Sequence, residues 1–324
     1  MGKALILMYH RVSAAQSDPW SLCVSVPRFA EQLAILQKQA RLLRLQQLTK
    51  VLQEGTTPSR SVVVTFDDGY ADNLHNAKPL LEQYEIPATV FITTGPLDRA
   101  GAFWWDELER VLLQPGTLPA VLSLRIDADA HQWELGDSAH YDEAAFQDHR
   151  GWRAWQPAPT LRHSVYLAVW QMLRPLPEGQ RRTVLDELLS WAGAGLAGGP
   201  LPGTLSSREV VALAQGELVE IGAHTVTHPM LAALPADSQR EEIHRSKVSL
   251  EGILGYPVTS FSYPYGSRDD ETVSLVRETG FACACSTRPG AVGHEADPLQ
   301  LPRFQVEDWT GDEFATRLSQ WFES

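Results

Sequence analysis

The sequence is poor in cysteine, in basic charge and in long apolar runs, and each shortage narrows what the chain is. Its three cysteines, Cys23, Cys283 and Cys285, cannot build a disulfide framework. Cys283 and Cys285 stand two apart in an apolar run, so a strand would turn both to one face as small core residues. Lys and Arg number 27 against 40 Asp and Glu, a formal charge of −13. Nucleic acid and anionic membranes are bound by Lys and Arg that neutralise phosphate, so neither is an expected partner, whereas a neutral substrate is not repelled. No stretch has the length of apolar sequence that spans a bilayer. The opening run to Tyr9 has one basic residue, no small-residue cleavage site and an interruption at His10-Arg11. It reads as a strand and not as a signal peptide, which makes cytoplasmic the expected location.

What is present is an α/β rhythm. An apolar share of 44% over 324 residues supplies an ample core for one large domain with insertions or for two domains. Ala4–Tyr9 is wholly apolar and 62–66 is rich in valine, as expected of strands buried on both faces. Further strands are expected at 88–93, 218–223 and 258–262. Helices are expected at 29–38, 73–84, 237–254 and 270–279, and Ser206 to Glu209 has capping-box spacing before another. Such alternation predicts parallel strands with right-handed crossovers, as a barrel or an open sheet. Between about 96 and 205 the rhythm breaks. This stretch holds Trp104, Trp105, Trp133, Trp152, Trp155, Trp170 and Trp191, two helical patterns and a Gly/Pro linker at 192–203. It reads as a mainly helical insertion, 96–205, in a body made of 1–95 and 206–324. As a lid it would offer indole faces to sugar rings, although most of the indoles are expected to pack its own core.

The chemistry gathers at strand ends. Thr65-Phe66-Asp67-Asp68-Gly69 closes a buried strand with two adjacent carboxylates, which repel unless a cation or proton offsets them. A helix cap and turn would explain the same residues equally well. His224-Thr-Val-Thr-His228 closes another strand, and imidazoles four apart at its exit converge on one ion if the loop makes a turn. Two His and one carboxylate leave open positions on a divalent ion, the requirement for activating water. Ser262-Tyr-Pro-Tyr265-Gly266 ends a strand with a turn whose amides are candidates to face an oxyanion. His10 puts a further imidazole at a strand end, where a general acid would sit.

These motifs resemble those of the polysaccharide deacetylase family, carbohydrate esterase family four, over roughly 3–94 and 205–303. The resemblance implies a distorted (β/α) barrel, an N-acetylated carbohydrate as substrate and a divalent ion, often zinc, held by Asp68, His224 and His228. It implies that Asp67 is the base and that the Tyr265 N–H helps to hold the oxyanion. The family's acid is a histidine on a late strand, and no such residue follows Arg303. The segment Leu7-Met-Tyr-His10 is similar to that late motif, so the order reads as circularly permuted, with His10 as the acid. Where the family's third motif usually begins with an arginine that steadies the base, this chain has Ser262. Arg303 is the candidate to supply the guanidinium from another strand. Asp308-Trp309 is only faintly similar to the fourth motif. Against an N-deacetylase of a bacterial polysaccharide or glycan precursor stand two other readings, a catalytically silent carbohydrate-binding module and a hydrolase of another ester or amide.

Overall fold

The computed structural model describes residues 2–56, 59–98, 102–126, 129–193 and 201–323. Eight strands form one parallel sheet: β1 (Ala4–Tyr9), β2 (Arg41–Leu42), β3 (Ser61–Phe66), β4 (Ala88–Ile92), β5 (Val219–Ala223), β6 (Ser260–Ser262), β7 (Cys283–Cys285) and β8 (Phe304–Gln305). Their order is β7-β6-β5-β4-β3-β1-β8, with β2 beside the start of β3. The sheet curls until its edges approach each other through residues 301–305. Phe304 and Gln305 pair with Leu7 and Met8 of β1, while Leu301 bridges Cys285 and accepts a hydrogen bond from the Ser286 amide. The expected distorted α/β barrel is the fold, in the form of a curled parallel sheet clad in helices.

Every residue of β1, β3 and β4 is buried, as their largely apolar sequences lead one to expect, and Ser61, Thr65 and Thr89 are the polar residues buried with them. Alternate residues pack in two separate cores. Leu5, Leu7, Val62, Val64 and Val90 meet the helix layer, for example at Phe29 and Leu33 of the helix Val26–Gln39. Ala4, Ile6, Val63, Phe91, Cys283, Cys285 and Leu301 share the opposite core with Leu45, Leu48 and Leu52 of the helix Leu45–Gln53. The two cysteines therefore share one face as small core residues, and burial pushes the Cys283 thiol up to about 12. One expected helix differs in kind: 73–84 opens as a π-turn, Asn73–Ala77, before the α-helical Lys78–Gln83.

The chain divides into two compact units, one of Met1–Ala14, Leu22–Arg99 and Thr204–Ser324, the other of Ala15–Ser21 and Ala100–Gly203. The second unit has four α-helices among its described residues, Trp104–Leu113, Glu143–His149, Leu161–Leu173 and Glu178–Ala192. It also has an antiparallel pair, Val121–Ile126 with Asp129–Glu134, that the helical patterning of this stretch does not announce. Trp20 ties Ala15–Ser21 to this unit: its ring stacks on Trp170 at 4.1 Å and its Nε1 donates to the Tyr166 hydroxyl at 2.8 Å. Trp104, Trp105, Trp152 and Trp170 are buried, so these indoles pack the unit's own core, whereas Trp155 stands exposed. Most of the Gly/Pro linker lies outside the described residues.

Candidate active site

Because all eight strands are parallel, their carboxyl ends open on one side. Ladder hydrogen bonds run one residue past several strands and fix the residue at each exit. The Asp67 amide donates to Tyr9 O (3.0 Å), the His224 amide to Ile92 O (2.9 Å) and the Tyr263 amide to Cys285 O (3.0 Å). Period-two alternation gives Asp67 the parity of Val63 and Thr65, and His10 that of Ala4 and Ile6, so both belong to the face that forms the second core.

Asp68, His224 and His228 converge and are all buried. Asp68 Oδ1 lies 3.5 Å from His224 Nε2 and 3.3 Å from His228 Nε2. The His224 Nδ1 lies 2.8 Å from Ser262 O. A carbonyl only accepts, so Nδ1 carries the hydrogen and a neutral ring turns its Nε2 lone pair toward Asp68. Buried electron-pair donors this close repel one another unless a proton or cation sits among them. A tetrahedral ion with bonds of about 2.0–2.1 Å sets its donors roughly 3.3 Å apart. The two separations from Asp68 match this and all three donors lie within 4.8 Å of one another, so the residues present fit a divalent ion. Burial pushes the Asp68 carboxyl up, and when His224 and His228 are protonated their hydrogen bonds hold it well below the ordinary carboxylate range. The backbone here is constrained: Asp68, Thr225, His228 and Tyr265 all have positive φ, between 54° and 76°. Each such non-glycine residue stores on the order of 1–3 kcal/mol, and that clustering is typical of functional sites.

Asp67 faces away into a different partnership. Arg303 grips it in a fork, Nη1 to Oδ1 at 2.8 Å and Nη2 to Oδ2 at 2.6 Å. The same guanidinium donates to Thr65 Oγ1 (3.0 Å), Ser262 Oγ (2.8 Å) and Ser286 O (3.0 Å), and it lies over the Phe91 ring. The Ser262 hydroxyl in turn donates to Asp67 Oδ2 at 3.2 Å. Ser262 thus leaves the room that the guanidinium of Arg303 fills. Burial pushes the Asp67 carboxyl up, and the charge and hydrogen bonds of Arg303 lead the influences that outweigh it, so its pKa lies below the ordinary range. Neither aspartate caps a helix.

His10 is near enough for its charge to lower both carboxylates. The π-turn anchors its strand end: Asn73 Nδ2 donates to His10 O (2.8 Å), Val12 N to Asp72 Oδ1 (3.1 Å) and Asn76 Nδ2 to Val12 O (2.8 Å). A π-bulge at such a place is a recurrent functional-site feature. The Tyr265 ring stands edge-on to His228, with centroids 4.5 Å apart. Asp308 is not part of this group; its Oδ1 accepts from Ser25 N and Oγ, just before the helix Val26–Gln39. Thr65, Ser286 and Phe91 around Arg303, and Glu242 behind the histidine loop, were not singled out from sequence. Thr65 alone had a signal, its place inside the carboxylate motif.

Comparison with known proteins agrees with this geometry. A family model described as polysaccharide deacetylase matches residues 54–117 and 203–284, the two segments that carry both carboxylates and both imidazoles. Over those two segments the chain matches the polysaccharide deacetylase family. Its enzyme class is therefore that of a carbohydrate deacetylase. YxkH of Bacillus subtilis (strain 168), a protein named for the same family, is 21% identical over 94% of this chain and 71% of that one. The poly-β-1,6-N-acetyl-D-glucosamine N-deacetylase of Staphylococcus aureus (strain MSSA476) is 35% identical, over 28% of this chain and 36% of its own length. Among solved structures, the Streptococcus pyogenes deacetylase PplD in complex with acetate has a TM-score of 0.61 at 18% identity, covering 99% of both chains. IcaB from Ammonifex degensii has the same TM-score and identity, covering 100% of this chain and 98% of that one. Both likenesses establish the deacetylase fold of this chain. No helix among the described residues is long and apolar enough to cross a membrane.

Proposed function

We propose that the protein hydrolyses the acetamide of N-acetylated sugars in a glycan, releasing acetate and a free amine. One observation carries this: two adjacent carboxylates are sent to different partners, Asp68 to two imidazoles and Asp67 to a guanidinium. In this reading Asp68, His224 and His228 hold a divalent ion, with zinc the best match to two imidazoles and one carboxylate. When bound, the ion supplies Lewis acidity, which polarises the acetamide carbonyl and lowers the pKa of water. Asp67, ionised and aimed by Arg303, takes a proton from the attacking water as its oxygen bonds to the carbonyl carbon. The Tyr265 N–H is the donor assigned to the oxyanion. As the C–N bond breaks, His10 gives its proton to the departing nitrogen.

The name of the S. aureus relative makes oligomers of N-acetylglucosamine the first substrate to try. Purified protein supplied with a divalent ion is expected to release acetate from them, to stop when a chelator is added and to recover when the ion is restored. Binding of the oligomers without acetate release, or release from simple esters alone, would overturn the proposal.

His10 has its own expected signature. An amine leaves poorly unless protonated, whereas an activated aryl acetate needs little help. His10→Ala is expected to fold and to lower kcat on the acetamide by about 10²-fold or more, with a much smaller loss on the aryl acetate. Equal losses on both substrates would remove His10 from the acid role.

A further inference from the structure

The loop from His224 to His228 is held on two sides by different means. Its carbonyls are fixed by the segment just after β4: Thr93 Oγ1 donates to His224 O (3.2 Å), Thr94 N to Thr225 O (3.1 Å) and Gly95 N to Val226 O (2.7 Å). That contact is backbone on backbone, so close that a Cβ on Gly95 would come within 2.4 Å of Val226 O. The amide side is met by a side chain from a neighbouring helix. Glu242, on the helix Ala236–Leu254, accepts from Val226 N at 2.8 Å and Thr227 N at 2.9 Å through Oε2, and from Thr227 Oγ1 at 2.7 Å through Oε1. Among the described residues no Lys or Arg forms an ion pair with Glu242, so its carboxylate is spent on the loop. The next amide, that of His228, is met from within the loop by Thr225 Oγ1 at 3.1 Å. Thr225 and His228 are the two loop residues with positive φ, 64° and 54°, a conformation that side-chain-bearing residues leave when nothing holds them.

We propose that Glu242 is a positioning residue for cation binding, whose carboxylate keeps the loop in the conformation that aims His228 Nε2 at Asp68. The proposal rests on the reading of Asp68, His224 and His228 as the ligands. Partners behind a ligand typically govern 10- to 100-fold of metal affinity. Glu242 acts at one remove: it sets the backbone from which the His228 ring projects.

The test is titration of the full-length protein with cobalt(II), followed by its d–d absorption, for the parent, Glu242→Ala and Glu242→Gln. Glu242→Ala is expected to raise the dissociation constant about 10- to 100-fold and to change the band shape. Glu242→Gln keeps an oxygen able to accept from both amides and is expected to stay close to the parent. In cobalt-free protein, the Val226 and Thr227 amides should exchange hydrogen faster in Glu242→Ala and not in Glu242→Gln. A folded Glu242→Ala with parental cobalt affinity would overturn the proposal. If that variant does not fold, Glu242→Asp, which draws the carboxylate back from both amides by one methylene, takes its place, and weakened affinity there supports the clamp while unchanged affinity refutes it. A parent that binds no cobalt would overturn the ligand reading itself, a result distinct from parental affinity in Glu242→Ala.

Discussion

Asp67→Asn is expected to lower acetate release by about 10²–10⁴-fold while the protein still binds its divalent ion. The neighbouring Asp68 supplies the carboxylate that faces the imidazoles, so the substitution removes a proton acceptor without removing a ligand. It also leaves the Arg303 guanidinium buried without a counter-charge. Breaking a buried ion pair from one side destabilises by about 3–5 kcal/mol, so the variant should melt earlier as well. Turnover, metal content and melting temperature measured on one preparation separate the two effects. Near-parental turnover in folded, metal-bearing protein would take Asp67 out of the mechanism.

Arg303→Met attacks the same pair from the other side. A methionine of comparable reach fills the apolar part of the space above Phe91 but leaves Asp67 buried with no cation. Burial alone drives a carboxyl pKa upward, and in the parent the Arg303 charge is the foremost influence that reverses it. A base works when deprotonated, so the acidic limb of the rate–pH profile should move to higher pH in the variant. A base that has lost its fork also drifts, and misplacement by about 1 Å can lower the rate on the order of 10²-fold. Ser262 offers a rescue, because its hydroxyl already lies within hydrogen-bond distance of both Asp67 and Arg303. Ser262→Arg combined with Arg303→Ala should recover part of the activity, since the second change vacates room for the first. No shift of the acidic limb in Arg303→Met would show that the pair does not set the base.

The parts of this site that were legible in sequence are those written in short runs. Asp67 with Asp68, and His224 with His228, are contiguous motifs at the ends of runs that announce buried strands. Their roles did not emerge from spacing, because a cap and turn would look the same until Arg303 and the imidazoles are seen to draw the two carboxylates apart. Arg303 stood out only as a candidate. Its reach to Asp67 depends on Phe304 pairing with Leu7, a register that no local pattern encodes. Glu242 had no signal at all, being one acidic residue among several on a polar helix. The π-turn at Asn73 was equally hidden, since its residues suit an α-helix and only its wider backbone hydrogen bonding, Lys78 N to Asn73 O, distinguishes it. The packing of Ala15–Ser21 was hidden for a related reason: what fixes it is Trp20 against Trp170, a contact far apart in sequence.

The closing segment 301–305 has a consequence for how the protein is born. It completes both edges of the sheet and delivers the guanidinium that keeps Asp67 charged, yet Arg303 comes 236 positions after Asp67. At a synthesis rate of about 5–20 residues per second, roughly 10–50 s pass between the emergence of the base and that of its partner. Throughout that interval the nascent chain carries a buried-type carboxylate without its cation and two unpaired parallel edges. Long-range pairings of this kind close slowly and expose strands meanwhile. The growing polypeptide is thus inert as a catalyst until 301–305 have emerged and folded, and it is during that wait that a chaperone would have most to protect.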